Sequence, residues 1–372
     1  MDRLKPVEHK IKALFFALFR FFLRKPSGSF KPLDVSKIKK ILFLRPEKIG
    51  DMAISFPVFD GLKETFPHLE ISILASPKNI SLIKNDSRFS KIFLYTKNAI
   101  KDVDMIISIR KENYDAVVDM ICDDSVTTLF LAHFCAQGKP IIGIGKSKHA
   151  IYYDFNYDHR MGNTGHIIDN TLKLLEAFRI NPAEISCYAA PQLDDESKES
   201  ASRFMAGLKE KHSSSKIIGY NLSAGSPTRI WNQEKSIELI DQLLNSDSNL
   251  QILLFTIPKE RERAEKIKQN FDRRVSLIPN NLNLINVSAI IKELDLLITP
   301  DTSLVHIARS FKVSVIGLYS RFMKNFLLWK PFGQEHGAVV SNSNDNIHDI
   351  TANDVFKEYL KMTQAPQKEE IR

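Results

Sequence analysis

Cysteine is scarce in this sequence: 372 residues hold three, Cys122, Cys135 and Cys187, far apart and with no C-x-x-C pair. That spacing indicates neither a disulfide framework nor a zinc site, and it suits a reducing compartment. No apolar run reaches the length of a membrane span. The densest, "KIKALFFALFRFFLRK" from Lys10 to Lys25, is short and interrupted by Arg20, which argues against a transmembrane helix. No short period repeats along the chain, so a solenoid is excluded. An acidic excess is absent too. Fifty-two Lys and Arg against 44 Asp and Glu leave a formal charge of +8, which favours an anionic partner such as a nucleotide, a phosphorylated lipid or a membrane surface without choosing among them.

What is present is ordinary for a globular chain, with 43% apolar and 26% charged residues, and the length suits two domains. In the Phe-rich segment, helical spacing puts Ile11, Leu14, Phe15, Leu18 and Phe22 on one broad face and Arg20 and Arg24 opposite, the pattern of an interfacial helix. A signal peptide is a rival, but no small-residue cleavage site follows. A helix packed on the protein's own core is the bland alternative. The flanking cations favour attraction to anionic headgroups at the inner face of the cytoplasmic membrane, through residues 10–25.

After the turn-rich "KPSGSF", strand-like and helix-like runs alternate. "KKILFLR", "EISILAS", "KIFLY", "YDAVVDM" and "PIIGIG" read as strands, and "HIIDNTLKLLEAFRI" (166–180) as a helix. The polar, proline-bearing "APQLDDESKE" marks a domain boundary just before it. Alternation then restarts with "KIIGYNLS", "LQILLFT", "RRVSLIP", "LDLLIT" and "VSVIGLYS", with helices around 234–244, 259–269 and 284–294, and a last helix within 351–362. Such alternation implies α/β domains with parallel sheets. The expected organisation is an amphipathic segment over 1–30, Rossmann-like domains over 36–188 and 189–346, and a terminal helix and tail over 347–372.

Ligands of open parallel sheets bind beyond the carboxyl ends of the strands, which singles out three loops. In "RPEKIGDMAISFP" (45–57), Lys48 and Gly50 precede Asp51 at the first turn of a helix, where the bland reading is an N-cap. In "LLITPDTSLVHIARSF" (296–311), the N–H groups of Thr302, Ser303 and Leu304 open a helix and suit a phosphate. Asp301 would repel that phosphate unless it pointed past it toward hydroxyl groups, so a sugar joined to a diphosphate satisfies both. The alternative is a capped helix with His306 a satisfied, half-buried histidine. In "YNLSAGSPTRIWNQEKSIELI", small residues including Ser226 permit close approach, and Arg229 can neutralise a leaving diphosphate.

Taken together, these stretches resemble the ADP-heptose lipopolysaccharide heptosyltransferase family, inverting glycosyltransferases of family 9 with the GT-B fold. The resemblance runs from about Ile41 to Gly337. "ILFLRPEKIGDMAISFPVFDGLKETFP" is similar to the family's opening strand, Gly-Asp loop and helix. "SAGSPTRIW" is similar to its donor loop, "TIPKERERAEKI" to its glutamate-bearing segment, "TPDTSLVHIA" to its Asp-Thr-Gly-x-x-His motif and "LWKPFG" to a further turn. The resemblance implies two Rossmann-like domains whose sheets face across a cleft. It implies Asp51 as catalytic base on the acceptor side, with Lys48 and Gly50 in its loop. Donor binding would fall to Ser226, Arg229, Glu260 for the nucleoside, Asp301 for the sugar, Thr302, Ser303 and Leu304 for the diphosphate, and His306. Three positions depart from the pattern: Ile54 stands for a histidine, Ser303 for a glycine and Arg229 for a lysine.

The implied reaction moves heptose from ADP-heptose to a lipopolysaccharide core acceptor, a lipid-linked saccharide. Asp51 takes the acceptor proton while helix N–H groups and Arg229 meet the diphosphate charge, without cofactor or metal. Asp102-Val-Asp104 is similar to the metal-binding pair of another glycosyltransferase fold, but it is remote from the donor half and reads as a solvated turn. A cytoplasmic protein peripheral to the membrane, with no nucleic-acid partner, is expected. The alternatives are a related transferase using another nucleotide sugar, a non-catalytic binding protein of the same fold, or an oxidoreductase argued from "GIGKS" (143–147), which lacks the third glycine of a dinucleotide loop.

Overall fold

The computed structural model describes residues 16–18, 20–23, 26, 32–158, 165–212 and 216–364. The chain divides into two compact units. Residues up to 186 form the first, except Gly165–Ile167, which join the second with everything from Cys187 onward.

The first unit is a six-stranded parallel sheet, β1 (Lys40–Leu44), β2 (Glu70–Ala75), β3 (Phe89–Leu94), β4 (Ala116–Asp119), β5 (Ile141–Ile144) and β6 (Phe155–Tyr157), in the order β3-β2-β1-β4-β5-β6. β1 is central, with Phe43 paired to Ile73 on one side and Val118 on the other. Its run Ile-Leu-Phe-Leu is buried throughout, as a strand covered on both faces demands. Helices α1 (Ile49–Ala53), α2 (Phe56–Thr65), α3 (Ala99–Lys111) and α4 (Val126–Ala136) lie between the strands. Pro57 at the start of α2 sits where its missing N–H costs nothing.

The second unit repeats the plan. Strands β7 (Lys216–Asn221), β8 (Leu250–Phe255), β9 (Val275–Leu277), β10 (Leu296–Pro300), β11 (Ser314–Tyr319) and β12 (Ala338–Val340) run parallel in the order β12-β11-β10-β7-β8-β9. Read from each unit's first strand, the two orders are the same, 3-2-1-4-5-6, the doubly wound arrangement whose switch point lies between the first and fourth strands. β1/β4 and β7/β10 are those pairs. Helices α7 (Gln233–Ser246), α8 (Arg261–Lys268), α9 (Leu284–Lys292), α10 (Ser303–Ser310), α11 (Met323–Trp329) and α12 (Ala352–Gln364) complete it. Val355 and Tyr359 of α12 stand in the same core as Leu239 and Leu243.

Several expectations need correction. The helix expected over 166–180 is α5 (Ile167–Leu172) followed by a 3-10 turn, Lys173–Phe178, closed by Arg179 at φ 61°. The polar stretch around Ala190 to Glu199 leads directly into an 18-residue helix, α6 (Asp195–His212). Its Ser197 Oγ lies 3.0 Å from Asn286 Nδ2 of α9. Asp102 and Asp104 lie in α3 and not in a turn; Asp102 Oδ1 accepts from Thr96 N at 2.9 Å and Thr96 Oγ1 at 3.1 Å. Strands β6 and β12 are additional to the runs read from the sequence.

Of the Phe-rich segment, residues 1–15, including Ile11, Leu14 and Phe15, lie outside the described residues, as do Phe19, Arg24 and Lys25; the side chain of Phe22 does too. So does the tail beyond Gln364. Phe16 packs onto the first unit, its ring centroid 5.0 Å from that of His149 and 6.4 Å from that of Phe130. Leu23 is buried, whereas Leu18 and Phe21 are exposed. Among the described residues no helix is long and apolar enough to cross a membrane.

Candidate functional site

At the carboxyl end of β1 the chain turns inward with Arg45, whose side chain is buried almost completely. A buried guanidinium must have its donors satisfied, and this one is surrounded. Nε donates to the Asp51 carbonyl at 2.9 Å and to Ser55 Oγ at 3.0 Å, and Nη1 to Glu47 Oε2 at 2.7 Å and to the carbonyl of Met120, the residue after β4. Nη2 stands 4.0 Å from Asp51 Oδ1. The other carboxylate oxygen, Oδ2, accepts from Lys48 N at 3.1 Å. Asp51 is therefore the third residue of α1, reaching back to close the helix's first turn, and not its N-cap. Gly50 is helical and does not have a positive φ, so the loop does not use its conformational freedom.

Glu47 went unnoticed in the sequence, and its carboxyl is strongly perturbed. Burial pushes its pKa up to about 7; Arg45 pulls it down, while Asp51, Asp119 and Asp123 push it further up. Burial likewise raises the Cys122 thiol to about 11. Behind them Lys146, the lysine of "GIGKS", is buried and spans β4 and β5. Its Nζ lies 2.8 Å from Asp119 Oδ2 and donates to the carbonyls of Ile121 at 2.6 Å and Asp123 at 2.9 Å. Tyr153 Oη donates to the same Asp119 oxygen at 2.8 Å. That lysine is a strut beneath the β4 loop, which accounts for "GIGKS" without a dinucleotide. The signal available was Asp119 itself, a charge ending an apolar strand.

In the second unit Asn221 closes β7. Its Nδ2 donates to Thr299 Oγ1 at 2.9 Å, to the Ser223 carbonyl at 3.0 Å and to Thr302 Oγ1 at 3.5 Å. This buried amide, also missed in the sequence, ties the β7 loop to the β10 loop. Thr302 N-caps α10 through Leu304 N at 3.4 Å, and Ser303 and Leu304 open the helix. Arg229 Nη1 lies 3.0 Å from both Asp301 Oδ2 and the Asp301 carbonyl, so Arg229, Asp301, Thr302, Ser303 and Leu304 converge. Ser226 is half-buried, its Oγ 2.9 Å from Thr228 Oγ1. Glu260 stands 3.9 Å from Arg263 Nη1, and Arg263 donates to the carbonyls of Leu222 and Trp231. That ties the glutamate to the same β7 loop.

His306 lies inside α10 and is fully buried, with Nδ1 lacking a hydrogen-bond partner. Its ring centroid is 5.4 Å from that of Trp329 and 6.4 Å from that of His166. Burial, then His166, lowers its pKa to about 3; burial lowers that of His166 to about 4, although the Lys330 carbonyl at 2.8 Å works the other way. Both rings are neutral at pH 7. In the "LWKPFG" turn Gly333 has φ +63°, and a Cβ there would stand 2.1 Å from Tyr188 Oη, so only glycine fits. Among the described residues no group of three or more His, Cys, Asp or Glu is placed to hold a metal ion.

Comparison with known proteins bears on the fold and the family. The lipopolysaccharide core heptosyltransferase OpsX of Haemophilus influenzae is 23% identical over 338 residues, covering 89% of this chain and 90% of that one. Among solved structures, the glycosyl transferase family 9 protein of Veillonella parvula superposes with a TM-score of 0.70 at 17% identity, covering 88% of this chain and 97% of that one. The E. coli heptosyltransferase WaaC with ADP does so at 0.67 and 16%, covering 87% and 98%. These likenesses establish the GT-B kind of α/β fold. The model of glycosyltransferase family 9 (heptosyltransferase) matches residues 104–360, and the chain belongs to that family of glycosyltransferases.

Proposed function

We propose that the protein transfers heptose from ADP-heptose to a lipopolysaccharide core acceptor with inversion, and that Asp51 is the general base. The observation that carries this reading is the carboxylate of Asp51, held at the end of β1 by Lys48 N and flanked by Arg45. In the proposed step the acceptor hydroxyl gives its proton to Asp51 as its oxygen bonds to the anomeric carbon. The bond from that carbon to the diphosphate breaks, and ADP leaves with the electron pair. The opening amides of α10 and Arg229 meet the charge of the departing anion. The described bonds of Arg229 run through Nη1, and its Nε and Nη2 donors suit a phosphate. Asp301 receives sugar hydroxyls, Glu260 the nucleoside, and Ser226 and His306 complete the donor side. Neither a cofactor nor a metal enters this scheme.

The acceptor's lipid would keep the protein at the cytoplasmic membrane face, with residues 10–25 as an interfacial anchor. A thermal-shift screen of ADP, UDP, GDP and their sugars, followed by a product assay with ADP-heptose, tests the donor. Stabilisation specific to the adenine series and transfer of heptose are expected. Stabilisation by UDP or GDP sugars alone would overturn the assignment.

A further inference from the structure

We propose that the outer face of α3, together with Phe134 of α4 and Ile151, is a second membrane-docking surface, built for bilayers that carry anionic headgroups. Ile100, Val103 and Ile107 recur at i, i+3 and i+7 and are 78%, 55% and 47% exposed, while Met105 and Ile109 of the same helix are buried. On a 3.6-residue repeat the two sets point in opposite directions. A single exposed aliphatic side chain needs no explanation, but an unbroken stripe opposite the core face of an amphipathic helix does.

The distribution over the unit is one-sided. Eight large apolar side chains of the first unit are exposed among the described residues, and Phe134, Ile151, Leu18 and Phe21 are among them. All eight belong to α3, α4, the Ala150–Tyr152 turn, the Phe16–Leu23 stretch or the end of β3. These elements surround one core cluster, that of Met105, Leu129 and Tyr152. Phe16 and Leu23 belong to the same cluster, so the described residues of the N-terminal stretch lie on this face.

Charge selects the occupant. Exposed Lys97, Lys101, Arg110 and Lys111 belong to α3 and its approach, Lys139 and Lys148 to the neighbouring turns, and Arg20 to the N-terminal stretch. Asp102, Asp104 and the capping Glu112 oppose them along α3, and Asp124 lies beside the Lys148 turn. Asp102 accepts bonds from Thr96, Glu112 pairs with Lys91, and Asp124 accepts from Ser147 and His149, so these cations outnumber the acidic groups. A second copy of this chain meeting the face symmetrically would bring like charges together. An anionic leaflet takes the apolar stripe at its boundary and the cations among its headgroups. The stripe that defines this surface, Ile100, Val103 and Ile107, lies outside residues 10–25 of the proposed anchor, and neither proposal needs the donor to be ADP-heptose.

The test is flotation of the full-length protein with vesicles of phosphatidylcholine containing 30% phosphatidylglycerol (about one lipid in three), and with phosphatidylcholine alone. The Ile100→Gln/Val103→Gln/Ile107→Gln variant keeps helix propensity and is first required to match the wild-type Tm. At least a tenfold loss of partitioning to the anionic vesicles is expected, with little binding of either protein to the neutral ones. Undiminished flotation of the variant overturns the proposal and leaves residues 10–25 as the anchor. Equal wild-type binding to both vesicle types, no wild-type binding, or a wild-type dimer that the variant dissociates in sedimentation would each overturn it as well.

Discussion

Arg45 grips Asp51 at two points: Nε donates to its carbonyl at 2.9 Å, and Nη2 lies 4.0 Å from its Oδ1. The guanidinium is buried while Asp51 remains partly accessible, so the cation is fixed by the protein and the carboxylate faces outward from a rigid support. Asp51→Asn keeps an oxygen for Lys48 N and nearly the same shape. Turnover should fall by ~10²–10⁴-fold, the usual worth of a general base, while Tm and ADP affinity stay near wild type. Turnover within tenfold of wild type would remove Asp51 from the mechanism.

Glu47 shares Arg45 with Asp51, and its folded pKa of about 7 stands above its ordinary 4.5. Below pH 4.5 both folded and unfolded chains hold the proton. Between 4.5 and 7 the unfolded chain releases it and the folded chain does not, so stability falls as pH rises through that window and stays at the lower level above it. At 1.36 kcal/mol per unit the loss is at most ~3 kcal/mol. Glu47→Gln should abolish this contribution. Denaturant titrations of wild type and variant between pH 4.5 and 8, followed by far-UV circular dichroism, give the difference; one that does not change with pH would reject the assignment.

The central strands were legible because they are apolar on both faces: β1, β7 and β10 announce themselves as short runs ending in a polar residue. β6 and β12 were not: three residues are too short to establish a period, and the polar or glycine neighbours of "FNY" and "AVV" do not extend the run as Ile278 does for the equally short β9. α6 was hidden by its composition, since a surface helix needs only a narrow apolar stripe and its first turn is almost wholly charged. At the site, the loops were found by their place after strands, but their supports were not. Arg45, Glu47, Asn221 and Lys146 act through partners that sequence spacing does not bring together, such as Met120 for Arg45 and Thr299 for Asn221.

Arg229 offers a test of the donor loop. Its pairing with Asp301 is partly exposed and is worth under ~1 kcal/mol to stability, so Arg229→Ala should barely move Tm. A charge-assisted bond to phosphate is worth ~1.5–3 kcal/mol, which corresponds to an ADP Kd about 10- to 100-fold weaker by calorimetry. Arg229→Lys, which restores a cation without the fork, should recover part of that loss. Unchanged ADP affinity in the alanine variant would place the phosphates elsewhere.

His306 and His166 give the second unit the opposite pH response from Glu47. Above pH 6.5 both rings are neutral whether the chain is folded or not. Below it the unfolded chain takes up protons, while the folded rings resist until about pH 4 for His166 and about pH 3 for His306. The unfolded state then binds more protons, so stability falls as pH falls, by ~1.4 kcal/mol per unit for each histidine. Both tryptophans, Trp231 and Trp329, lie in this unit, so their fluorescence reports its unfolding separately. His306→Phe removes an unpartnered buried nitrogen and should cost little stability at pH 7.5. Between pH 6 and 4.5 it should cut the slope attributable to these histidines from about two protons to about one. A slope unchanged by the substitution would mean that His306 is protonated in the folded protein, against the burial and the neighbouring His166 that hold it neutral.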